Sequence, residues 1–130
     1  EAALEPAIKL SRETGAVIGV SGPTDLIVQA GERPRAVSLE SGHPMLQNVI
    51  GTGCSLGAIC AAYLAAWEDP FAAIIAAHAH VGAAGSVAAE TSTAPGSFAV
   101  AWLDALHELT TDAIEERISA SEVADVAGLA

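Results

Sequence analysis

Aromatic residues are scarce in this sequence, although it is rich in apolar ones. Phe, Trp and Tyr supply 4% of the 130 residues, whereas hydrophobic residues of all kinds supply 52%. The core must therefore be built mainly from Ala, Val, Ile and Leu, whose small side chains let helices approach one another closely. A chain of this length can hold one domain with a core of its own.

Basic residues are also few, and their scarcity argues against several kinds of partner. Five Lys and Arg stand against sixteen Asp and Glu, which gives a net charge of −11. Nucleic acids and anionic membrane surfaces attract positively charged proteins, so we expect neither as a partner. A polyanion such as ATP would have to be held locally, by backbone N–H groups and a metal ion, against the overall charge.

Cysteine occurs only twice, as Cys54 and Cys60. Six residues correspond to about 9 Å along a helix and to different faces of it, so this spacing does not predict a disulfide. Cys60 falls in the apolar stripe of its helix and is expected in the core. Reduced thiols are typical of cytoplasmic proteins, and the acidic N-terminal segment lacks the basic stretch that begins a signal peptide. We therefore expect a cytoplasmic protein.

Charged residues are absent from residues 70–89, a stretch long enough to span a bilayer. The stretch is mostly Ala and Gly, however, and it contains His78 and His80. These features favour a buried helix of a globular protein over a membrane span. The two histidines do not face each other at this spacing, so we expect packing or polar contacts for them and predict no metal site.

The first part of the chain predicts a helix, a strand and a hairpin. Residues 1–14 have the apolar spacing of an amphipathic helix, and Gly15 is a typical helix end. Residues 16–20 form an apolar run, which predicts a strand buried in a parallel sheet. Residues 25–30 and 36–39 are two β-like runs around a turn that contains Gly and Pro, and they predict a hairpin.

Two further helices are predicted after a loop at residues 40–47. The first begins at the glycine-rich turn and continues to about Trp67, with apolar residues spaced at three and four. Asp69 and Pro70 are an N-cap and a first-turn proline, and they begin a long buried helix that continues to about Glu90.

The end of the chain predicts two more helices and a loose tail. Ser97 is expected to cap one helix, while Asp112 and Glu115 have the spacing of a capping box at the start of the other. The tail after Ser119 is expected to fray. Two or three strands cannot cover so many apolar helices, so the sequence predicts half of an α/β sandwich, with further sheet supplied from elsewhere.

The turn Gly51-Thr52-Gly53-Cys54 carries the clearest chemical signal. Glycine permits positive φ and lets a ligand approach the main chain. The N–H groups of these four residues, at the start of the following helix, would form an anion hole for a phosphate, assisted by the helix dipole. Cys54 lies at a position where thiols can react near neutral pH. The turn is neither a Walker loop nor a Rossmann fingerprint, and simple helix entry is the alternative interpretation.

Several blocks in the same order resemble the hydroxyethylthiazole kinase family. They are VSGPTD at 20–25, GHPML at 42–46, IGTGCS at 50–55, GSF at 96–98 and LDAL at 103–106. The similarity covers residues 1 to about 118 and matches only the C-terminal half of the family's enzymes. It implies that residues 1–130 are the C-terminal part of a single ribokinase-like kinase domain whose N-terminal half is absent.

The resemblance also implies a fold, a reaction and an assembly. The fold would be a three-layer α/β sandwich, represented here by a few strands and four or five helices. The reaction would be the phosphorylation of the primary alcohol of 4-methyl-5-(2-hydroxyethyl)thiazole by ATP and Mg²⁺, a step of thiamine salvage. Complete members of the family are homotrimers with active sites between neighbouring subunits.

The resemblance assigns roles to three residues. Ser21 would contact ATP, at a position where many relatives carry Thr and a hydroxyl is therefore kept. Gly51 would border the thiazole. Cys54 would be the catalytic residue, because it occupies the place of the aspartate base of other ribokinase-like enzymes. The family's substrate-binding methionine, its ATP-contacting basic residue and its acidic magnesium site lie in the absent half, so no metal ligand is assigned.

Two other interpretations remain open. The chain could be a split or truncated derivative that is catalytically inactive and serves as an assembly module, or it could belong to a kinase of another small alcohol. Because the front half of the fold is missing, we expect the isolated chain to be inactive. His43 could touch phosphate or substrate or form part of a turn, and Ser97 could lie near the nucleotide.

Overall fold

A computed structural model of the chain describes residues 2–124 and 126–129. Within these residues the chain forms five α-helices and four β-strands, and the predicted α/β class is confirmed. In chain order they are α1 (Leu4–Thr14), β1 (Ile18–Val20), β2 (Asp25–Gln29), β3 (Arg35–Glu40), α2 (Thr52–Ala66), α3 (Pro70–Thr91), α4 (Pro95–Glu108), α5 (Thr111–Glu115) and β4 (Ser119–Glu122). Short 3₁₀-helices cover Pro44–Asn48 and Val126–Leu129.

The four strands form one sheet in the order β1-β2-β3-β4, and each neighbouring pair is antiparallel. The predicted hairpin is β2 and β3, with Val28 opposite Ala36. The parallel sheet predicted for β1 is wrong for the described strands, since β1 runs antiparallel to β2. The reason is the short connection at residues 21–24, because a parallel pair needs a crossover of a dozen residues or more.

The C-terminal segment is more ordered than its composition suggests. The tail after Ser119 was expected to fray, but β4 pairs with β3 along its length, and Leu39 lies opposite Ala120. The amide of Val123 also donates to the carbonyl oxygen of Ala36 at 3.0 Å. The prediction was wrong because sheet hydrogen bonds to a neighbouring strand do not require apolar side chains.

The sheet lies between helices, which makes three layers. Side chains of β2 alternate, so Val28 faces α1 with Ala7 and Ile8, whereas Ile27 faces α3 with Phe71. Helices α2 and α4 pack against α3. Helix α3 therefore connects the layers, because it contacts the sheet and both of these helices.

Helix α3 is the one described helix long and apolar enough to cross a membrane. Twelve of its 22 residues are buried in the fold. A second core lies between α3 and α4, where Phe98 is fully buried and Trp102 donates from Nε1 to the carbonyl oxygen of Val81 at 3.2 Å. The prediction of a buried helix is confirmed, because most of α3 is packed inside the fold as a core helix is.

Two of the predicted helix signals are confirmed. Gly15 ends α1 with a φ of 73°, a left-handed conformation that favours glycine. The Asp69 carboxylate accepts a hydrogen bond from the amide of Phe71 at 3.0 Å, and Pro70 occupies the first turn of α3. Asp69 thus fixes the start of α3, directly after the end of α2.

Two other cap predictions were wrong. Helix α4 begins at Pro95, and Ser97 lies inside its first turn with its hydroxyl donating to the carbonyl oxygen of Ala94. Pro95 sets the start because its fixed φ suits the first turn of a helix. The cap of α5 is Thr110, whose Oγ1 accepts from the amide of Ala113 at 3.3 Å, so Asp112 lies within the helix.

Candidate active site

The end of β1 and the start of α2 meet at one pocket of about 290 Å³. Its lining includes Ser21 and Gly22, which follow β1, and Thr52 and Gly53 from the first turn of α2. Gly82 of α3 lines the pocket as well. The structure therefore brings together two segments that the sequence analysis had assigned separately to ATP and to an anion hole.

The start of α2 leaves its first amides without a capping side chain. Gly51 occupies the N-cap position with a φ of 91°, and no side-chain hydrogen bond caps the helix. The first helical hydrogen bond runs from the amide of Ser55 to the carbonyl oxygen of Gly51 at 2.8 Å. The amides of residues 52–54 precede that bond, so they are the groups that a helix start offers to an anion.

The hydroxyl of Thr52 has a structural task. Its Oγ1 donates to the carbonyl oxygen of Leu46 at 3.0 Å and lies 3.4 Å from that of Val49. This bond ties the segment after β3 to the first turn of α2, and Leu46 lines the pocket as well. Thr52 therefore holds the shape of the glycine turn through its side chain and leaves its amide for a ligand.

The two cysteines lie on different sides of α2. Cys54 is exposed and is not among the residues that line the pocket, although the adjacent Gly53 is. Cys60 is half-buried, packs beside the core under α3, and burial raises the pKa of its thiol. Both thiols are free, as the sequence predicts. Of the two, Cys54 is the one next to the pocket.

A hydrogen-bonded pair that the sequence analysis missed, Asp25 and His78, supports the Ser21 turn. Asp25 Oδ1 accepts from the amide of Gly22 at 2.8 Å, and Asp25 Oδ2 lies 2.8 Å from Nδ1 of His78. The His78 side chain is 3% exposed, and a Cβ at Gly19 would lie 2.7 Å from its Nε2. Asp25 thus fastens the turn to α3. An Asp three residues after a turn glycine is the signal that could have suggested it.

His80 and His43 also make hydrogen bonds within the fold, and the polar contacts predicted for His78 and His80 are confirmed. The Tyr63 hydroxyl lies 2.9 Å from Nδ1 of His80, and Nε2 of His80 lies 2.9 Å from the carbonyl oxygen of Leu106. A carbonyl only accepts, so Nε2 donates and Nδ1 accepts from Tyr63. His43 Nδ1 accepts from the amide of Met45 at 3.1 Å, which is the turn role.

The loop before the first 3₁₀-helix packs tightly on α3 and closes one side of the pocket. Gly42 has a φ of 85°, and its amide donates to Oγ of Ser86 at 3.2 Å. A Cβ at Gly82 would collide with the Ser41 side chain. Ser41 and Gly82 both line the pocket. In the described residues no group of three His, Cys, Asp or Glu is placed to bind a metal ion.

Comparison with known proteins places this fold in a family. A sequence profile described as the hydroxyethylthiazole kinase family matches residues 1–112. The chain belongs to the hydroxyethylthiazole kinase family. Hydroxyethylthiazole kinase of Corynebacterium glutamicum strain R is 54% identical over 126 residues, and that of Corynebacterium efficiens is 58% identical over 111 residues. These alignments cover 94% and 82% of this chain, but 46% and 40% of the respective relatives.

A solved structure of hydroxyethylthiazole kinase from Pyrococcus horikoshii OT3 has the same fold. Its TM-score is 0.85 at 30% identity, and the match covers 94% of this chain and 46% of that one. The chain thus spans less than half the length of the kinases it matches. The resemblance found in the sequence is confirmed, including its restriction to the C-terminal half, and the α/β fold is that of the kinase.

Membership in the hydroxyethylthiazole kinase family gives the pocket a context. Ser21, Thr52 and Gly53 line it, and Gly51 and Cys54 adjoin it in the same turn. Ser97, in the first turn of α4, is not one of the lining residues. Four of the five sequence-predicted site residues therefore form one contiguous turn, and the fifth, Ser21, lines the same pocket from a different segment.

Proposed function

We propose that this chain supplies the C-terminal half of the active site of a kinase that transfers the γ-phosphoryl group of ATP to the primary alcohol of 4-methyl-5-(2-hydroxyethyl)thiazole. The supporting observation is the shared pocket of Ser21 and the first turn of α2. A hydroxyl and uncapped helix-start amides at one pocket suit a phosphate chain. Family membership supports the choice of a kinase over other phosphate-binding proteins.

The phosphoryl group would bind at the amides of residues 52–54. In the transfer, the alcohol oxygen forms a bond to the γ-phosphorus, the bond from that phosphorus to ADP breaks, and the hydroxyl proton leaves. N–H groups fixed in place stabilise the negative charge on the transferring oxygens, which is the dominant contribution in this chemistry. These amides would also offset locally the net charge of −11, which opposes ATP binding.

Cys54, Gly51 and Ser21 complete the assignment. Cys54 would orient the alcohol and, when ionised, accept its proton; positioning alone supplies much of the rate of such reactions. Gly51 would border the thiazole, where the absence of a side chain leaves room for the ring. Ser21 Oγ would donate to a phosphate oxygen of ATP. Reduced thiols and the metabolic class of the relatives support a cytoplasmic enzyme of thiamine salvage, homotrimeric when complete.

The described residues do not fit a magnesium site. Asp25 is the carboxylate that lines the pocket, and its two oxygens already face Gly22 and His78. A Mg²⁺ ion needs oxygen ligands in octahedral geometry, usually one or two carboxylates together with substrate phosphates. Any carboxylate ligand of the Mg²⁺ that accompanies ATP would thus come from outside the described residues.

The test compares ADP release from ATP and Mg²⁺ in the presence of hydroxyethylthiazole by two proteins. One is this chain alone, and the other is a chimera in which the unmatched first half of the C. glutamicum kinase precedes it. Cys54→Ala is made in both, with Cys60→Ala as the matched control in the same helix. We expect turnover only by the chimera, reduced about 10²–10⁴-fold by Cys54→Ala if the thiol acts as a base, and little changed by Cys60→Ala.

Three outcomes would contradict the proposal in whole or in part. Turnover by the isolated chain that requires Cys54 would show that the chain is sufficient. Turnover by neither protein would favour the assembly module, which the exposed helix α2 supports, since none of its 15 residues is buried. Turnover with another small alcohol in place of the thiazole would keep the chemistry and change the substrate.

A further inference from the structure

The turn that joins β1 to β2 lies beside one buried ring. His78 of α3 is 3% exposed, and its Nδ1 lies 2.8 Å from Oδ2 of Asp25, the first residue of β2. An ionised carboxylate only accepts hydrogen bonds, so Nδ1 is the donor. On the other arm of the turn, a Cβ at Gly19 of β1 would lie 2.7 Å from Nε2 of His78. The ring of His78 therefore lies against both strands that the turn connects.

Asp25 connects this ring to the turn. Its Oδ1 accepts from the amide of Gly22 at 2.8 Å, while its Oδ2 faces His78. Both carboxylate oxygens therefore have a donor, which fixes the carboxylate and with it the peptide group of Gly22. The Ser21 hydroxyl makes no hydrogen bond within the described residues and lines the pocket, so it is the group that the turn leaves for a ligand.

The position of the Asp25 carboxylate has a cost for a pocket that takes a phosphate. Asp25 lines the pocket, and like charges at short distance repel each other. The other end of the same strand pair is joined without a charge. There the Ser11 hydroxyl donates to the carbonyl oxygen of Ala16 at 2.6 Å and accepts from the amide of Ala30 at 2.8 Å. A neutral anchor is thus enough to hold β1 and β2 together, which indicates that the charged one has a further task at the pocket.

We propose that Asp25 and His78 are a positioning pair for ATP. His78 fixes the Asp25 carboxylate, and Asp25 fixes the turn so that the Ser21 hydroxyl faces a phosphate oxygen of the nucleotide. Neither residue takes part in the transfer itself. The inference rests on the proposed function and deepens it, because it assigns affinity for ATP to a buried histidine outside the lining of the pocket. The pair should therefore affect the KM for ATP more than kcat.

His78 allows hydrogen bonding to be separated from packing. His78→Leu fills much of the buried space but has no donor. His78→Asn leaves a smaller side chain, but its amide nitrogen can take the place of Nδ1 and donate to Asp25. If the ring only fills space, Leu should be the better replacement, because lost volume in a core is destabilising. If the ring positions Asp25, Asn should be the better replacement for ATP binding.

The test uses the chimera in which the unmatched first half of the C. glutamicum kinase precedes this chain. Calorimetry measures the binding of β,γ-methylene-ATP with Mg²⁺, and turnover assays measure kcat and the KM for ATP. We expect Asp25→Ala and His78→Leu to weaken analogue binding and raise this KM about tenfold or more, the value of one hydrogen bond to a charged group. His78→Asn should stay within about threefold of the parent, and kcat should change less than KM.

Ser11→Ala is the matched control, because it removes a buried polar anchor of the same two strands at the end away from the turn. It should lower the stability measured by urea unfolding but leave the affinity for the analogue within about twofold of the parent. Amide hydrogen exchange of Gly22 in this chain gives a readout that needs no nucleotide. Exchange should be faster in His78→Leu than in the parent, and unchanged in Ser11→Ala.

Three results would overturn the inference: equal loss of affinity in Ser11→Ala, tighter binding by His78→Leu than by His78→Asn, or a parent chimera that does not bind the analogue. Asp25 and His78 are substituted separately, so if one variant does not fold the other decides. Turnover that is independent of the pair would leave the proposed function standing. Analogue binding that depends on the pair, without phosphorylation of the thiazole, would contradict the proposed function alone.

Discussion

Helices α2 and α3 are alike in sequence and opposite in environment. Both are rich in Ala and Gly, and α2 has no charged residue while α3 has only Glu90. Twelve of the 22 residues of α3 are buried, whereas none of the 15 residues of α2 is. The difference in burial follows from position. Helix α3 is packed between the sheet and two helices, whereas α2 packs mainly on α3. An apolar composition therefore does not by itself show that a helix is buried within its own chain.

The largest expected effect is on the core that α3 shares with α4. Phe98 is fully buried there, so Phe98→Ala should lower the free energy of unfolding of the chain by about 3–5 kcal/mol through lost burial and a cavity. Leu64→Ala on α2, where Leu64 is 43% exposed, should cost less than about 1 kcal/mol. Urea unfolding followed by circular dichroism measures both. Equal losses would mean that α2 is buried in solution, against the structure.

The next effect concerns the polar anchor of α3. Asp25→Asn removes the charge that faces His78, and hydrogen bonds to charged groups contribute about 1.5–3 kcal/mol. We expect the stability to fall by that amount, as measured by urea unfolding. Asp104→Asn, at an exposed position of α4, is the control and should leave stability within about 0.5 kcal/mol of the parent. An Asp25→Asn chain as stable as the parent would show that the Asp25 carboxylate does not hold the turn.

The same substitution, Gly to Ala, can be made in both helices to compare their surroundings. Gly82→Ala in α3 should destabilise the chain by about 1–3 kcal/mol, because the new Cβ collides with Ser41. Gly57→Ala in α2 should stabilise the isolated chain by about 0.5–1 kcal/mol, since the space is open and Ala is the better helix former. Thermal unfolding of both variants shows whether each one is more or less stable than the parent chain. Changes in stability in the same direction would contradict the comparison.

The smallest effect lies within α2 itself. Burial raises the pKa of the Cys60 thiol and restricts access to it, whereas Cys54, in the first turn of α2, is exposed. The raised pKa keeps Cys60 in the less reactive thiol form over a wider pH range, and burial hinders its access to reagent, so iodoacetamide should alkylate Cys54 faster by on the order of tenfold. The gap should narrow as the pH rises through the pKa of Cys60. Peptide mass spectrometry over a time course measures the two rates, and preferential alkylation of Cys60 would contradict the placement.

Much of the local structure could be predicted because the decisive signals are local. Gly15 ends α1, and Asp69 with Pro70 starts α3, each through its own backbone and side chain. The hairpin of β2 and β3 follows from two apolar runs and a turn. The parallel sheet predicted for β1 was wrong for the described strands, because an apolar run indicates burial but carries no strand direction. The direction follows from the short connection to β2.

Long-range contacts could not be predicted from the residues. Nothing near His78 shows that it will meet Asp25, 53 residues away. The pairing of β4 with β3 likewise depends on backbone hydrogen bonds that polar side chains do not reveal. The candidate site was predicted through the family blocks, and the structure adds that Ser21 and Gly53 line one pocket. The roles of those residues stay predictions until turnover is measured.

The ring of His80 has a consequence for how the molecule opens. It accepts from Tyr63 of α2 and donates to Leu106 of α4, while its own backbone belongs to α3. Three helices therefore share one half-buried imidazole, and none of them can detach without leaving a polar group of another unpaired. Such sharing makes α2, α3 and α4 a single cooperative unit in local unfolding. Helix α2, exposed on its outer side, is thereby held to the stability of the two helices behind it.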